Sequence, residues 1–201
     1  MNNKRIDLEL ITSLVDRKMR VLDVGCGNGE LLQSLKTKND VIGQGLELKQ
    51  ERVNQCVEKG LSAIQGDADK DLSLYPDQSF DCVILSQTIQ ATGDPKLILK
   101  ELIRIGKKAI VSIPNFGYWR VRLSLGINGR MPRTKKLIYN WYDTPNIHLC
   151  TILDFINLCN ELNIQIEKTI TLSSNNNKSY NGLPNKFSNL FSEEAIFLIR
   201  P

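Results

Sequence analysis

The residues best placed to do chemistry lie in Val21-Leu22-Asp23-Val24-Gly25-Cys26-Gly27-Asn28-Gly29-Glu30. A short apolar run ends in a glycine turn, and the turn opens a helix. Glycine accepts positive φ and lets the backbone come close to a ligand. The helix N-terminus beyond the turn offers unpaired N–H groups and the positive end of its dipole. Dinucleotide-binding folds use such a turn for pyrophosphate, but their fingerprint is G-x-G-x-x-G. That spacing needs glycine at position 30, where Glu30 stands, and the third glycine is Gly29. Asp23, just before the first glycine, would repel a pyrophosphate. It suits a ligand with a cationic amino-acid end and no phosphate.

S-adenosylmethionine (SAM) has both properties, and D-x-G-x-G-x-G resembles motif I of class I methyltransferases. Two further acids support this ligand or its product, S-adenosylhomocysteine. Glu47 ends a second strand, where a carboxylate can accept both ribose hydroxyl hydrogen bonds. Asp67 follows a third strand, and the resemblance implies contact with the adenine amino group. The cofactor set is therefore Asp23, Gly25, Cys26, Gly27, Gly29, Glu47, Leu48, Asp67, Ala68 and Ser86. Plainer readings exist. Glu47 and Asp67 could each be exposed strand-end carboxylates, and Cys26 a small packed residue. Asp23 lies within an apolar strand and needs a cationic or N–H partner.

Short apolar runs alternate with amphipathic stretches, as in βαβ units around a parallel sheet. Strands are expected at 20–24, 41–47, 62–65, 82–86 and 108–113, with two more at 165–172 and 194–199. The expected helices begin at Glu30 and about Gln50, the latter with Val53, Cys56 and Val57 on one face. Another starts at Asp94-Pro95, an N-cap followed by proline at the first helical position. A fourth starts at Thr151, where Asp154 completes a capping box. The Ser- and Asn-rich stretch 173–180 reads as an exposed loop. The segment 115–149 is too long for an ordinary connection and reads as a partly helical insertion in a single domain spanning 1–201.

That insertion mixes Arg120, Arg122, Arg130, Arg133, Lys135 and Lys136 with Phe116, Tyr118, Trp119, Tyr139, Trp141 and Tyr142. It could be a solvated basic face, a protein-binding surface rich in hot-spot residue types, or a lid over an anionic substrate. Single-stranded nucleic acid is a weaker choice, because the rest of the chain adds no basic field. His148 is the one histidine and the default candidate for a general base. With Tyr142 and Asp143 it forms the catalytic candidates, although a structural or positioning role ranks first. Gln87, Thr88 and Gln90 follow the fourth strand. They are neutral hydrogen bonders, which argues mildly against proton abstraction.

Composition narrows the function classes. The 201 residues carry a net charge of +4, with 41% apolar and 24% charged residues, as in ordinary globular proteins. Five scattered cysteines show no C-x-x-C pair, so reduced thiols and no metal site are expected. No run approaches a membrane span and no signal peptide is visible. A cytoplasmic protein with no membrane partner is expected.

A narrower resemblance rests on Ser86-Gln87-Thr88-Ile89-Gln90-Ala91, on Pro114-Asn115-Phe116-Gly117-Tyr118-Trp119-Arg120-Val121-Arg122 and on Gly129-Arg130-Met131-Pro132. Trp141-Tyr142-Asp143-Thr144-Pro145-Asn146-Ile147-His148-Leu149-Cys150-Thr151 extends it. Together they resemble the methionine biosynthesis protein MetW family. Alternation alone gives only an α/β class. The resemblance implies the class I methyltransferase architecture: a Rossmann-like, seven-stranded, mostly parallel sheet, helices on both faces, the last strand antiparallel. It also implies an accessory role beside homoserine O-acyltransferase, with Gln87, Trp119, Arg120, Arg122 and Trp141 as substrate or partner candidates. The alternative is a SAM-dependent methyltransferase acting on a small-molecule acceptor.

Overall fold

The computed structural model describes residues 5–134, 137–173, 176–185 and 187–201. Five parallel strands form the left and centre of one sheet: β1 (Arg20–Val24), β2 (Ile42–Glu47), β3 (Ser62–Gln65), β4 (Cys82–Ser86) and β5 (Ala109–Pro114). Two antiparallel pairings bring in β8 (Glu194–Arg200), which lies between β5 and β6 (Gln165–Ser173). The sheet order is β3-β2-β1-β4-β5-β8-β6-β7, where β7 is Asn176–Asn181. The expected seven strands are thus present, with β8 antiparallel among them, and β7 is an eighth strand, also antiparallel to its neighbour.

β7 corrects, at 176–180, the reading of 173–180 as a loop; Ser173 ends β6, and 174 and 175 lie outside the described residues. β7 pairs antiparallel with β6, Leu172 opposite Asn177 and Ile170 opposite Ser179. An edge strand needs only one hydrogen-bonding partner and no apolar run, so Ser- and Asn-rich composition concealed it. Val57 is a second correction. It is exposed, whereas Val53 and Cys56 are buried.

Period-two alternation divides the central strands between two cores. Leu22, Val24, Val83, Leu85, Val111 and Ile113 face one side, with Ile98, Leu102 and Ile105 of α5 (Pro95–Ile105) and Phe155 and Cys159 of α7 (Ile152–Glu161). Val21, Cys82, Ile84 and Ile110 face the other, with Ile11 of α1 (Ile6–Ser13) and Leu31 and Leu35 of α2 (Glu30–Asn39). Strands covered on both faces are mostly apolar, as Cys82–Leu85 of β4 are. Asp94 accepts the amide of Leu97, and Thr151 with Asp154 closes its capping box, as expected. Among the described residues no helix is long and apolar enough to cross a membrane.

The chain fills β1 to β3 in one direction and then returns to place β4 against the other side of β1. This reversal opens a crevice at the carboxyl ends of β1 and β4, where open α/β sheets take ligands.

The segment 115–149 leaves the sheet at the same edge. It contains α6 (Trp119–Asn128), closed by Gly129 at φ +59°. Its ends meet where the Phe116 amide donates to the Cys150 carbonyl at 3.2 Å. Asn115 pins that junction. Its buried Nδ2 donates to the carbonyls of Asn189 (2.8 Å) and Ser192 (2.7 Å), and its Oδ1 accepts from the amides of Gly117 (2.9 Å) and Ile152 (3.3 Å). Asn115→Ala would strand four backbone groups. A loss of about 2–4 kcal/mol is expected in urea unfolding, and an unchanged midpoint would show that these bonds carry no stability.

Candidate functional site

The glycine turn ends β1 with three left-handed residues: Gly25 at φ +73°, Gly27 at +56° and Gly29 at +80°. The amides of Gly25 and Cys26 both donate to the Leu46 carbonyl, at 2.7 and 3.2 Å, which locks the turn against β2. The three glycines differ in what surrounds them. A Cβ on Gly29 would lie 2.6 Å from Leu61 Cδ1 and 2.9 Å from Cys56 Sγ, and one on Gly25 would lie 2.8 Å from Thr88 Oγ1. A Cβ on Gly27 would meet nothing within 4 Å. Gly29 therefore serves packing, while Gly27 borders open space at the end of β1. Cys26 is buried with Leu32, Cys56 and Leu61, the packed role weighed for it above.

Glu47, at the end of β2, is buried and already engaged. Its Oε2 accepts from the Gly27 amide at 2.9 Å, its Oε1 accepts from the Lys49 amide at 3.1 Å, and Arg52 stands 3.9 Å away. This clamp of Glu47 on the glycine turn was not legible in the spacing. A carboxylate has about four acceptor sites, so two remain for a ligand. Leu48 beside it is exposed.

Asp23 is 2% exposed. Sequence reasoning required a cationic or N–H partner for it. Among the described residues the carboxyl has no hydrogen-bond donor, and the charge acting on it is that of Glu47. Burial first, and then that negative neighbour, push its pKa up to about 8. A buried carboxyl in this state is stabilised as an anion when a cation or an N–H donor arrives.

Asp67 follows β3 and caps the short helix α4 (Ala68–Asp71). Its Oδ1 accepts from the Asp69 amide at 3.1 Å and its Oδ2 pairs with Lys70 at 3.0 Å. The Lys70 contact leads the causes that hold its pKa below the usual carboxylate value. Ala68 packs against the main core. Asp69, which the sequence did not single out, accepts the Gly93 amide at 2.9 Å and so fixes α4 to the approach to α5.

The turn after β4 lies against the glycine turn through Thr88. Ser86 Oγ is 3.1 Å from Ser112 Oγ, and the Gln87 amide donates to both Ser112 O and Ser112 Oγ at 3.0 Å. Gln90 Nε2 donates to the Gln87 carbonyl at 2.7 Å, and the Gln90 carbonyl accepts the amides of Ile147 (2.9 Å) and His148 (3.0 Å). The loop bearing His148 therefore docks on the end of β4. Tyr142 and Asp143 do not join it in a catalytic group. Asp143 accepts the amide and side chain of Asn140, at 2.7 and 3.0 Å, and exposed Tyr142 stands edge-on to Trp141.

The insertion places Trp119, Leu123 and Ile127 at i, i+4 and i+8 on α6, all exposed, and Val121 is its one buried residue. A helix normally buries such a stripe. Arg120 stacks over Trp119 at 5.3 Å, Arg122 Nε donates to the Gly117 carbonyl at 2.6 Å, and Trp141 is 74% exposed. Lys135 and Lys136 lie outside the described residues.

A sheet ordered 3-2-1-4-5, an antiparallel strand inserted beyond it and a glycine turn at the β1–β4 crevice define the class I methyltransferase fold. A SAM-dependent methyltransferase from Mesorhizobium loti superposes with a TM-score of 0.71 at 14% identity, covering 99% of each chain. A SAM-dependent methyltransferase and possible histamine N-methyltransferase from Thermotoga maritima gives 0.67 at 18% identity, covering 96% of this chain and 86% of that one. Within that class, the chain belongs to the family described as methionine biosynthesis protein MetW, which matches residues 5–199. The bifunctional methionine biosynthesis protein MetXA/MetW of Rhodopirellula baltica is 33% identical over 174 residues, 82% of this chain and 28% of that protein. The chain spans 28% to 55% of the lengths of the curated relatives it matches.

Proposed function

We propose that this chain binds SAM in the β1–β4 crevice and works in methionine biosynthesis as an accessory subunit of homoserine O-acyltransferase. The observation that carries the ligand is the buried, unpartnered carboxyl of Asp23 near the open space over Gly27. In this reading the SAM ammonium supplies the missing cation, Glu47 and exposed Leu48 receive the ribose and adenine, and Asp67 with Ala68 borders the adenine edge. Ser86 closes the cradle from β4. SAM supplies an activated methyl group when bound; the chain's own residues bind and orient it and exclude water.

The accessory role is supported by two separate facts. The exposed stripe Trp119, Leu123 and Ile127, with Arg120 and Arg122 on the same helix and exposed Trp141 elsewhere in the insertion, has the residue types of a protein interface. The Rhodopirellula relative also carries the MetXA and MetW names on one polypeptide. A SAM-responsive subunit would require SAM to bind its free and complexed forms with different affinity.

The test is co-purification with the acyltransferase, followed by acyltransferase assays with and without this chain and SAM. A stable complex, a changed acylation rate and a further change with SAM are expected. Trp141→Ala with Arg120→Glu should weaken the complex by roughly 100-fold or more, the scale of lost interface hot spots. The second reading, methyl transfer to a small acceptor, is favoured by the shared fold with methyltransferases. SAM turnover on an acceptor, with no complex and no change in acylation, would establish it and reject the accessory role.

A further inference from the structure

A cavity of about 190 Å³ lies on β6 and β7, separated from β4 by β5 and β8 and so apart from the β1–β4 crevice. The β6–β7 hairpin forms its floor. Ile170 and Leu172 belong to the core shared with α1 and α2, so Thr171 between them faces the opposite side of the sheet. Lys178 pairs with Thr171 across the hairpin and Tyr180 with Thr169, which puts Lys178 and Tyr180 on that same face. The roof is the short helix α8 (Ser188–Phe191) with its flanks. Tyr180 Oη lies 3.3 Å from Ser188 Oγ, which ties roof to floor. Asn185 Oδ1 accepts the amides of Phe187 (3.1 Å) and Ser188 (3.0 Å), which fixes the start of the roof.

The lining combines unused polar groups with open aromatic rings. Thr171 and Ser192 line the cavity at 2% and 6% exposed, yet their hydroxyls make no hydrogen bond among the described residues. Buried hydroxyls nearly always have a partner, and the cavity is where one can enter. Lys178 is exposed and makes no salt bridge among the described residues, and no carboxylate lines the cavity. Phe187 and Phe191 complete the wall with rings 6.5 Å apart, both exposed. Adjoining exposed apolar groups commonly mark a surface that something covers.

We infer that this cavity is a second ligand site, for a small organic acid with one carboxylate on a flat apolar body. A carboxylate only accepts, at about four positions. It can take the hydrogens of Thr171 and Ser192 and pair with Lys178, and such charge-assisted bonds are the strong ones. The apolar body then covers Phe187 and Phe191. The volume sets the size, since a cavity of about 150 Å³ holds benzene. An amine would meet Lys178 with no carboxylate to offset it, and inorganic phosphate would leave both phenylalanine rings in water. The same roof carries the carbonyls of Asn189 and Ser192 that hold Asn115 at the base of the insertion, so the site shares a wall with that anchor. The inference stands apart from the SAM reading.

The experiment titrates the whole chain, without SAM, with benzoate and follows backbone amide NMR signals. Saturable shifts at Thr171, Lys178 and Ser192 are expected, with half-saturation of about 1 mM for a ligand of this size. Benzyl alcohol, which keeps the ring and loses the charge, should bind roughly tenfold more weakly. Acetate, which keeps the charge and loses the ring, should lose at least as much. Lys178→Gln should weaken benzoate roughly tenfold with an unchanged Tm, because the side chain is exposed. Thr171→Val keeps the β-branched shape, removes the hydroxyl and should cost roughly tenfold. If that variant fails to fold, Lys178→Gln alone decides. Unsaturable shifts, shifts confined to other parts of the chain, equal affinity for benzyl alcohol, or unchanged affinity in the folded variants would overturn the site.

Discussion

Asp23→Asn will stabilise the ligand-free protein near pH 8 and weaken SAM binding about 100-fold or more. In the unfolded chain the Asp23 carboxyl ionises near 4; in the folded protein burial and the Glu47 charge hold its proton on up to about 8. Between those values the folded state binds more protons than the unfolded state, so this group's contribution to stability falls as pH rises from about 4 to about 8. Asn is neutral throughout and removes the slope. The gap sets an upper bound of roughly 5 kcal/mol at pH 8. The expected Tm curves meet near pH 4 and diverge above it, with the Asn variant higher.

The same substitution removes the anion that a cationic amino-acid group would meet, and a loss of about 100-fold or more in SAM affinity is expected. If the ammonium of SAM seats at Asp23 as proposed, it expels the Asp23 proton, so calorimetry at pH 7 should record proton release, and affinity should rise between pH 6 and 7.5. A variant Tm at pH 8 no higher than the parent's would show an ionised, partnered Asp23 in the free protein. Opposite effects on stability and binding are what a functional site built at the expense of the fold produces.

The parts of the site legible in the sequence are those whose chemistry is local. Gly25 to Gly29 reads as a turn because positive φ selects glycine, and Asp23, Glu47 and Asp67 read as candidates to contact the cofactor because each falls at or near the end of an apolar run, Asp67 with the help of the family resemblance. Strand limits such as Ser62–Gln65 and Cys82–Ser86 followed from the same runs. What escaped was made by partners distant in the chain. Glu47 reaches the Gly27 amide across 20 residues, and Asn115 bonds to residues 37, 74 and 77 positions away. Neither contact leaves a periodicity. β7 escaped for a different reason: its pairing uses backbone groups that every residue carries. Of the apolar stripe of α6 the sequence reading singled out Trp119 but not Leu123 or Ile127, and its exposure depends on the insertion leaving the sheet, which only the fold decides.

The second and third glycines of the turn, Gly27 and Gly29, should separate ligand loss from folding loss. Gly27→Leu places a side chain in free space, and its structural cost is that of a left-handed non-glycine residue, about 1–2 kcal/mol. The variant should fold, with unchanged far-UV circular dichroism and a modestly lower Tm, yet bind no SAM, because the side chain occupies the place where the backbone must approach the ligand. Gly29→Leu carries the same backbone cost and also drives a Cβ to 2.6 Å from Leu61 and 2.9 Å from Cys56, both buried. Relief requires the N-terminus of α2 to move away from α3 (Gln50–Glu58), so the loss should reach several kcal/mol, within the range of overpacked cores plus backbone strain. Gly29→Leu should therefore lose binding through loss of the fold and show it as a collapsed Tm. Equal SAM affinity in Gly27→Leu and the parent would remove the β1–β4 crevice as the cofactor site, whatever Gly29→Leu does.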